Sequence, residues 1–206
     1  GREGDAVALA EQLQAKSPDD KRTLLNLASL YAQTGNNDKA AALLDTARQK
    51  GMLTEQRDYE NLYAIYLNMD GKEAEAAKVI QEGLEKGILP ADARTYTFLA
   101  QSLYFSDQIN PAVDAYKKAA PLDSTGETSL ALSQILTNED RNEEAKAAAR
   151  QALDKGLKKP GEAWMVIARS EYYMDNYAAA RQAYAEAAKD PATRDQAQKA
   201  LAQISR

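Results

Sequence analysis

The sequence predicts an all-α fold, a stack of antiparallel helix pairs, and three observations predict it. Apolar residues recur at spacings of three and four through almost the whole chain, the neighbour distance along one helix face. Segments of that kind come in pairs, and the pairs begin near residues 21, 57, 93, 126 and 161, a period of about 34 residues. Gly and Pro, ten and six among 206 residues, stand between the periodic segments, and strand signals are missing. A helix with one apolar stripe cannot bury it alone, so each pair needs its neighbours and one continuous core is expected.

Taken in order, residues 4–18 place Ala6, Ala10 and Leu13 on one face before Pro18 stops the helix. Ala40, Leu44 and Ala47 repeat that spacing, so residues 1–20 are expected to be a half unit, the second helix of a pair without its first. Such a half unit leaves an apolar edge uncovered, which points to a native chain that continues toward the N-terminus. The first full pair sets Leu24, Leu27, Ala28 and Tyr31 on one helix, turns at Gly35, and sets Ala40, Leu44 and Ala47 on the next. The second offers Tyr63, Ala64 and Leu67, a turn at Gly71, then Ala76, Ile80 and Gly83.

In the third pair Tyr96, Leu99, Ala100 and Leu103 precede a turn where Asp107 replaces glycine, and Ala112, Tyr116 and Ala119 follow. The fourth has the thinnest core: Leu132, Ser133 and Leu136, then Ala145, Ala149 and Ala152. Trp164, Ile167 and Ala168, then Ala180, Tyr184 and Ala187, make the fifth, which ends at Asp190-Pro191. Residues 191–206 read as a polar-faced capping helix. Three pairs end Lys50-Gly51-Met52, Lys86-Gly87-Ile88 and Lys155-Gly156-Leu157. Glycine just past a helix takes the left-handed conformation, and the apolar residue after it packs back on the last turn.

Composition excludes much chemistry. The net charge is -5, from 31 acids and 26 bases that alternate in sign, as on a solvated helical surface. Lys117-Lys118 and Lys158-Lys159 are too short for the basic stripe a nucleic-acid binder carries, so nucleic acid is not expected as a partner. There is no Cys and no His, which removes thiolate chemistry, the commonest general base and the commonest metal ligand. No Gly-rich phosphate loop, serine elbow or calcium-loop spacing is present, so no enzyme activity, cofactor or metal is expected. No apolar run approaches the roughly 20 residues that span a bilayer, so direct membrane insertion is not expected.

With those residues on the page, the chain resembles the tetratricopeptide repeat family. That family's pattern is W-x2-L-G-x2-Y on the first helix and A-x3-F-x2-A-x4-P on the second. Leu24, Leu27, Ala28, Tyr31, Ala40, Leu44 and Ala47 match it, as do Trp164, Ile167, Ala168, Ala180, Tyr184 and Ala187. Two departures stand out: Glu60 at the first aromatic position of the second unit, and Glu171 at the tyrosine position of the fifth, where Tyr172 is expected to substitute. The small residues Ala28, Ala64, Ala100, Ser133 and Ala168 are expected where the helices of a pair cross, about 8 to 10 Å apart. The resemblance implies a right-handed superhelical solenoid whose first helices line a concave groove that binds extended peptides or partner helices.

A second resemblance lies inside the first. The phrases ARQKGML, GLEKGIL, ALDKGLKKPGEAWMVIA and AAKDPATRDQAQKAL are similar to bacterial periplasmic tetratricopeptide proteins associated with TonB, ExbB and ExbD. It implies a periplasmic partner-binding role in envelope transport, a cytoplasmic location being the alternative. Carried over position by position, the groove residues are Asn61, Ile65, Asn68, Arg94, Gln101, Tyr104, Gln134, Arg169 and Tyr172, with Leu25, Ser29, Leu130 and Met165 beside them. Amides pair with both N–H and C=O of a peptide backbone, and Tyr gives apolar area with a polar tip. Helical rotation is expected to turn Phe105 and Tyr173 inward. The Lys/Asn/Arg clamp of chaperone-tail receptors is absent, its places holding Leu25, Ser29, Leu62, Arg94 and Phe98. Against a protein-binding groove stands a competing reading, a homo-oligomeric spacer array in which end faces stack and the groove is unoccupied.

Overall fold

The computed structural model describes residues 2–204, and all regular structure among them is helical. In chain order the helices are α1 (Arg2–Lys16), α2 (Lys21–Gln33), α3 (Asn37–Gln49), α4 (Gln56–Leu67), α5 (Glu73–Glu85), α6 (Ala93–Phe105) and α7 (Ile109–Ala119). After a 3-10 turn (Ala120–Leu122) come α8 (Glu127–Asn138), α9 (Asn142–Asp154), α10 (Gly161–Tyr173), α11 (Tyr177–Ala187) and α12 (Arg194–Ile204). Where one continuous core was expected, the chain divides into two compact units, Gly1–Ala91 with Phe98–Ala112, and Asp92–Thr97 with Val113–Arg206. Contacts in a repeat stack are made between neighbours, so the stack can separate at any one step.

In the first unit, Asp20 starts α2 by accepting from the N–H groups of Arg22 and Thr23, satisfying donors the first turn leaves open. Leu24, Leu27, Ala28 and Tyr31 are buried against Ala40, Ala41, Leu44 and Ala47 of α3, each leucine contributing roughly 1.5 to 3 kcal/mol. Gly51, at φ 72°, ends α3 in the left-handed conformation, and the Met52 N–H reaches back to the Ala47 carbonyl at 2.9 Å. Arg48 of α3 pairs with Glu82 of α5, which ties the two second helices together, and Lys86 at the end of α5 pairs with the same carboxylate.

The second pair departs from its expected register. The buried residues of α4 are Tyr59, Leu62, Tyr63 and Tyr66, while Ala64 is exposed. Tyr59, buried against Gly83 and Leu89, therefore takes the aromatic position, and Glu60 is no departure at all. Tyr63, not Ala64, takes the crossing position. The cause is one extra residue between α4 and α5. From the crossing residue to the first buried alanine of the second helix is 12 residues for Ala28 to Ala40, Ala100 to Ala112, Ser133 to Ala145 and Ala168 to Ala180, but 13 for Tyr63 to Ala76. Gly35 and Gly71 are 36 apart, so aligning the turns displaces α4 by one residue, which rotates every side chain about 100° around its helix.

The second unit is built on the same pattern. Leu132, Ser133 and Leu136 of α8 meet Ala145, Ala149 and Ala152 of α9, and Ile167 and Ala168 of α10 meet Ala180, Tyr184 and Ala187 of α11. Gly126 precedes α8 at φ 84°, where a Cβ would stand 2.6 Å from the Ala152 carbonyl oxygen. Lys155 donates to the Ala120 carbonyl and, at 2.5 Å, to that of Asp123. The expected substitution of Tyr172 for Glu171 does not occur. Glu171 is itself buried, pairs with Lys146 at 3.3 Å and Arg150 at 3.8 Å, and accepts from the Asn176 amide at 2.9 Å, while Tyr172 is exposed. A paired, hydrogen-bonded carboxylate can occupy a core position that an isolated one cannot.

Candidate partner-binding face

A concavity on the predicted groove positions lies in the first unit, between α2 and α4. It is a cleft of about 260 Å³ whose α2 wall is Leu25, Ala28, Ser29 and Ala32, and whose α4 wall is Arg57, Asn61, Ala64, Ile65 and Asn68. Small side chains make the space: Ala28, Ser29 and Ala32 face Ala64 across it. Asn61 and Asn68 are exposed, and neither side-chain amide makes a hydrogen bond among the described residues. The Arg57 guanidinium, also exposed, has no carboxylate partner among the described residues. The cleft thus offers two amides able to donate and accept, one cation, and an apolar floor of Leu25, Ile65 and Leu44.

Three predicted residues, Asn61, Ile65 and Asn68, are brought together there. Gln101 is exposed and Tyr104 half-buried, the latter edge-on to Phe105 with ring centroids 5.7 Å apart. Phe105 is 71% exposed, so the expectation that it turns inward fails, and Tyr173 at 63% fails likewise. Both end their helices, where no following turn covers them.

In the second unit the predicted residues are dispersed. Arg94 is exposed. The Gln134 amide donates to Glu162 at 2.8 Å, and the Arg169 Nε donates to the Met165 carbonyl at 3.4 Å. Leu130 and Met165, beside them in the expected groove, are buried. Tyr172 is edge-on to Tyr173 at 5.8 Å and to Tyr177 at 5.4 Å, and the Tyr177 hydroxyl donates to Asp175 at 2.7 Å. Arg57 and Tyr177 were missed. The first would have followed from the Tyr59-x2-Leu62-Tyr63 match, which sets the α4 register.

Among the described residues no group of three His, Cys, Asp or Glu is gathered to hold a metal, and no helix is long and apolar enough to cross a membrane.

Comparisons with known proteins agree. The sequence model of the tetratricopeptide repeat family matches residues 1–64. No curated protein sequence matches the chain. Among solved structures, YrrB, described as a tetratricopeptide protein with an unusual peptide-binding site, is similar with a TM-score of 0.68 at 17% identity, over 93% of this chain and 96% of that one. MamA is similar with a TM-score of 0.67 at 15% identity, over 85% and 94% of the two chains. A chain of the APC/C hetero-tetramer Cut9–Hcn1 gives 0.56 at 14%, over 98% of this chain and 40% of that one. At such identities the likeness is one of fold. With repeat sequence matched over residues 1–64 and fold matched over nearly the full length, the chain is an all-α solenoid of the tetratricopeptide repeat type.

Proposed function

We propose that the chain is a protein-interaction scaffold that holds an extended peptide segment of a partner in the cleft between α2 and α4. The observation that carries this is the set of unused polar groups around an apolar floor: Asn61, Asn68 and Arg57 above Leu25 and Ile65. Two amides on one helix face pair with a peptide backbone, the floor takes an apolar side chain, and Arg57 takes an acidic one. YrrB lends support as a protein of the same fold described by its peptide-binding site. A finer reading, a periplasmic partner of a TonB-associated transport system, draws on the phrase resemblance alone.

The test is selection from a displayed library of random peptides, followed by titration of the selected peptides against the parent and an Asn61→Ala, Asn68→Ala variant. Acidic, apolar-centred peptides are expected, with affinity falling about tenfold or more in the variant. Peptides that bind both proteins equally would place the site elsewhere and overturn the reading.

A further inference from the structure

Three of the turns that join the helices of a pair carry an aspartate in the left-handed conformation: Asp107, Asp140 and Asp175, with φ of 62°, 57° and 61°. In each, the N–H of the next residue is tied to a carbonyl of the preceding helix. Gln108 donates to Leu103 at 2.8 Å, Arg141 to Leu136 at 2.9 Å and Asn176 to Glu171 at 2.8 Å. Counted from the crossing residue, Asp70 holds the same place between α4 and α5. That turn differs because it holds the extra residue. Gly71 takes the left-handed conformation in place of the aspartate, at φ 74°, and its N–H makes no hydrogen bond among the described residues.

Asp70 and Gly71 are both exposed, and the Asp70 carboxylate has no ion pair or hydrogen bond among the described residues. A Cβ at Gly71 would meet nothing within 4 Å, so the turn stands in open space. It is also the one Asp-Gly step of the chain, which has no Asn-Gly step. Glycine leaves its nitrogen unshielded and its dihedrals free, and an exposed turn with no bond to break fluctuates at low cost. Other aspartates that precede a small or turn-forming residue are protected. At Asp123-Ser124 the Thr125 N–H and hydroxyl hold one carboxylate oxygen at 2.9 and 2.7 Å, and the Thr128 N–H holds the other at 2.9 Å. At Asp190-Pro191 the following nitrogen carries no hydrogen to lose.

We propose that Asp70 is a site of covalent self-modification, at which the chain isomerises to isoaspartate through a succinimide closed with the Gly71 nitrogen. In the first step that nitrogen attacks the side-chain carbonyl carbon of protonated Asp70. A C–N bond forms, the C–O bond to the carboxyl hydroxyl breaks, and the hydroxyl leaves with the N–H proton as water. In the second step water adds to one of the imide carbonyls and its C–N bond breaks. Addition at the side-chain carbonyl restores aspartate. Addition at the main-chain carbonyl leaves Gly71 joined through the side chain and the former backbone carbonyl as a free carboxylate. Nothing is oxidised or reduced, and water is the co-reactant. The product lengthens the α4–α5 turn by one backbone carbon, just beyond Asn68 on the cleft wall, and its formation needs no peptide in that cleft.

Ageing the full chain in warm neutral buffer tests this. An isoaspartyl carboxyl methyltransferase with a labelled methyl donor counts the isoaspartate formed, and peptide mapping places it. The parent is expected to accumulate isoaspartate at residue 70 several-fold faster than at residue 123. An Asp70→Glu variant, whose closure needs a larger and slower-forming ring, is expected to lose that signal; the change is at an exposed side chain, and circular dichroism checks that the helices remain. Ageing in denaturant gives the second measurement: with the bonds from Thr125 and Thr128 gone, the rate at Asp123 should rise toward that at Asp70. Equal rates at the two sites in the folded chain, methyl acceptance that Asp70→Glu leaves unchanged, or isoaspartate at residue 70 that forms in denaturant alone would each overturn the proposal.

Discussion

The α2–α4 face of the first unit and the α8–α10 face of the second occupy the same repeat positions and have opposite characters. Ser29 and Arg57 face an open cleft, whereas their counterparts Gln134 and Glu162 close on each other with a 2.8 Å hydrogen bond. Asn61 is exposed in the cleft, whereas its counterpart Val166 is fully buried. One unit leaves its polar groups exposed, and the other pairs them with each other. Repetition of a fold therefore does not repeat a binding surface, because a single pair of residues that reach each other is enough to seal it.

The sharpest way to break this contrast is to exchange the residues that define it. Val166→Asn puts a polar amide in place of a fully buried apolar side chain, and thermal unfolding should show a loss of about 2 kcal/mol or more. The reciprocal Asn61→Val should stay within about 0.5 kcal/mol of the parent. Equal losses would mean that the two faces do not differ in burial as described. A smaller effect is expected from Gln134→Ala, which removes the bond to Glu162 at a half-buried site. About 0.5 to 1.5 kcal/mol should go, with no change in peptide affinity at the α2–α4 cleft.

Smallest, and separable by pH, are the titrations. In the first unit the Tyr31 hydroxyl donates to Glu11 at 2.6 Å, and that bond, with burial, pushes its pKa up to about 12. Its folded value lies above the unfolded one, so this contribution is present below about pH 10 and is lost as pH rises through about 12. In the second unit, hydrogen bonds from Arg141 and Lys117 hold Glu144 at about 2. Burial there pushes Asp123 up, but the Thr128 and Thr125 N–H groups and the Thr125 hydroxyl outweigh it and also hold that carboxyl at about 2. Both are depressed, so their contributions are present above about pH 4 and are lost as pH falls toward 2. Tyr31→Phe should flatten the alkaline limb of a stability profile and leave the acid limb unchanged; Asp123→Asn should do the reverse.

Most of the fold was legible because the small-to-large alternation at residues such as Leu27-Ala28 and Ile167-Ala168 is a direct record of helix crossing. What misled was the turn. Gly35 and Gly71 are both left-handed, with φ of 78° and 74°, and aligning them hides the extra residue that displaces α4. The cleft emerged partly in spite of this, since Asn61, Ile65 and Asn68 line it from the α4 side under the corrected register too. Arg57 was illegible at the shifted frame. The closure of Gln134 on Glu162 had no signal in either helix alone, because it depends on how near α8 and α10 approach. Glu171 misled for a related reason: its partners Lys146 and Arg150 are on a different helix, and pattern matching weighs each position by its own side chain.

The left-handed turn position between paired helices is constrained by backbone conformation and not by space. Gly35 has Asp107, Asp140 and Asp175 as its counterparts, all with φ near 60°, so the turn accepts a short polar side chain as well as glycine. Gly126 looks equally loose on the page of the sequence, yet any side chain there would strike the Ala152 carbonyl. The two glycines thus differ in what a side chain would meet: open space at Gly35, where the left-handed backbone is the whole constraint, and a carbonyl oxygen at Gly126, where conformation and space both exclude one.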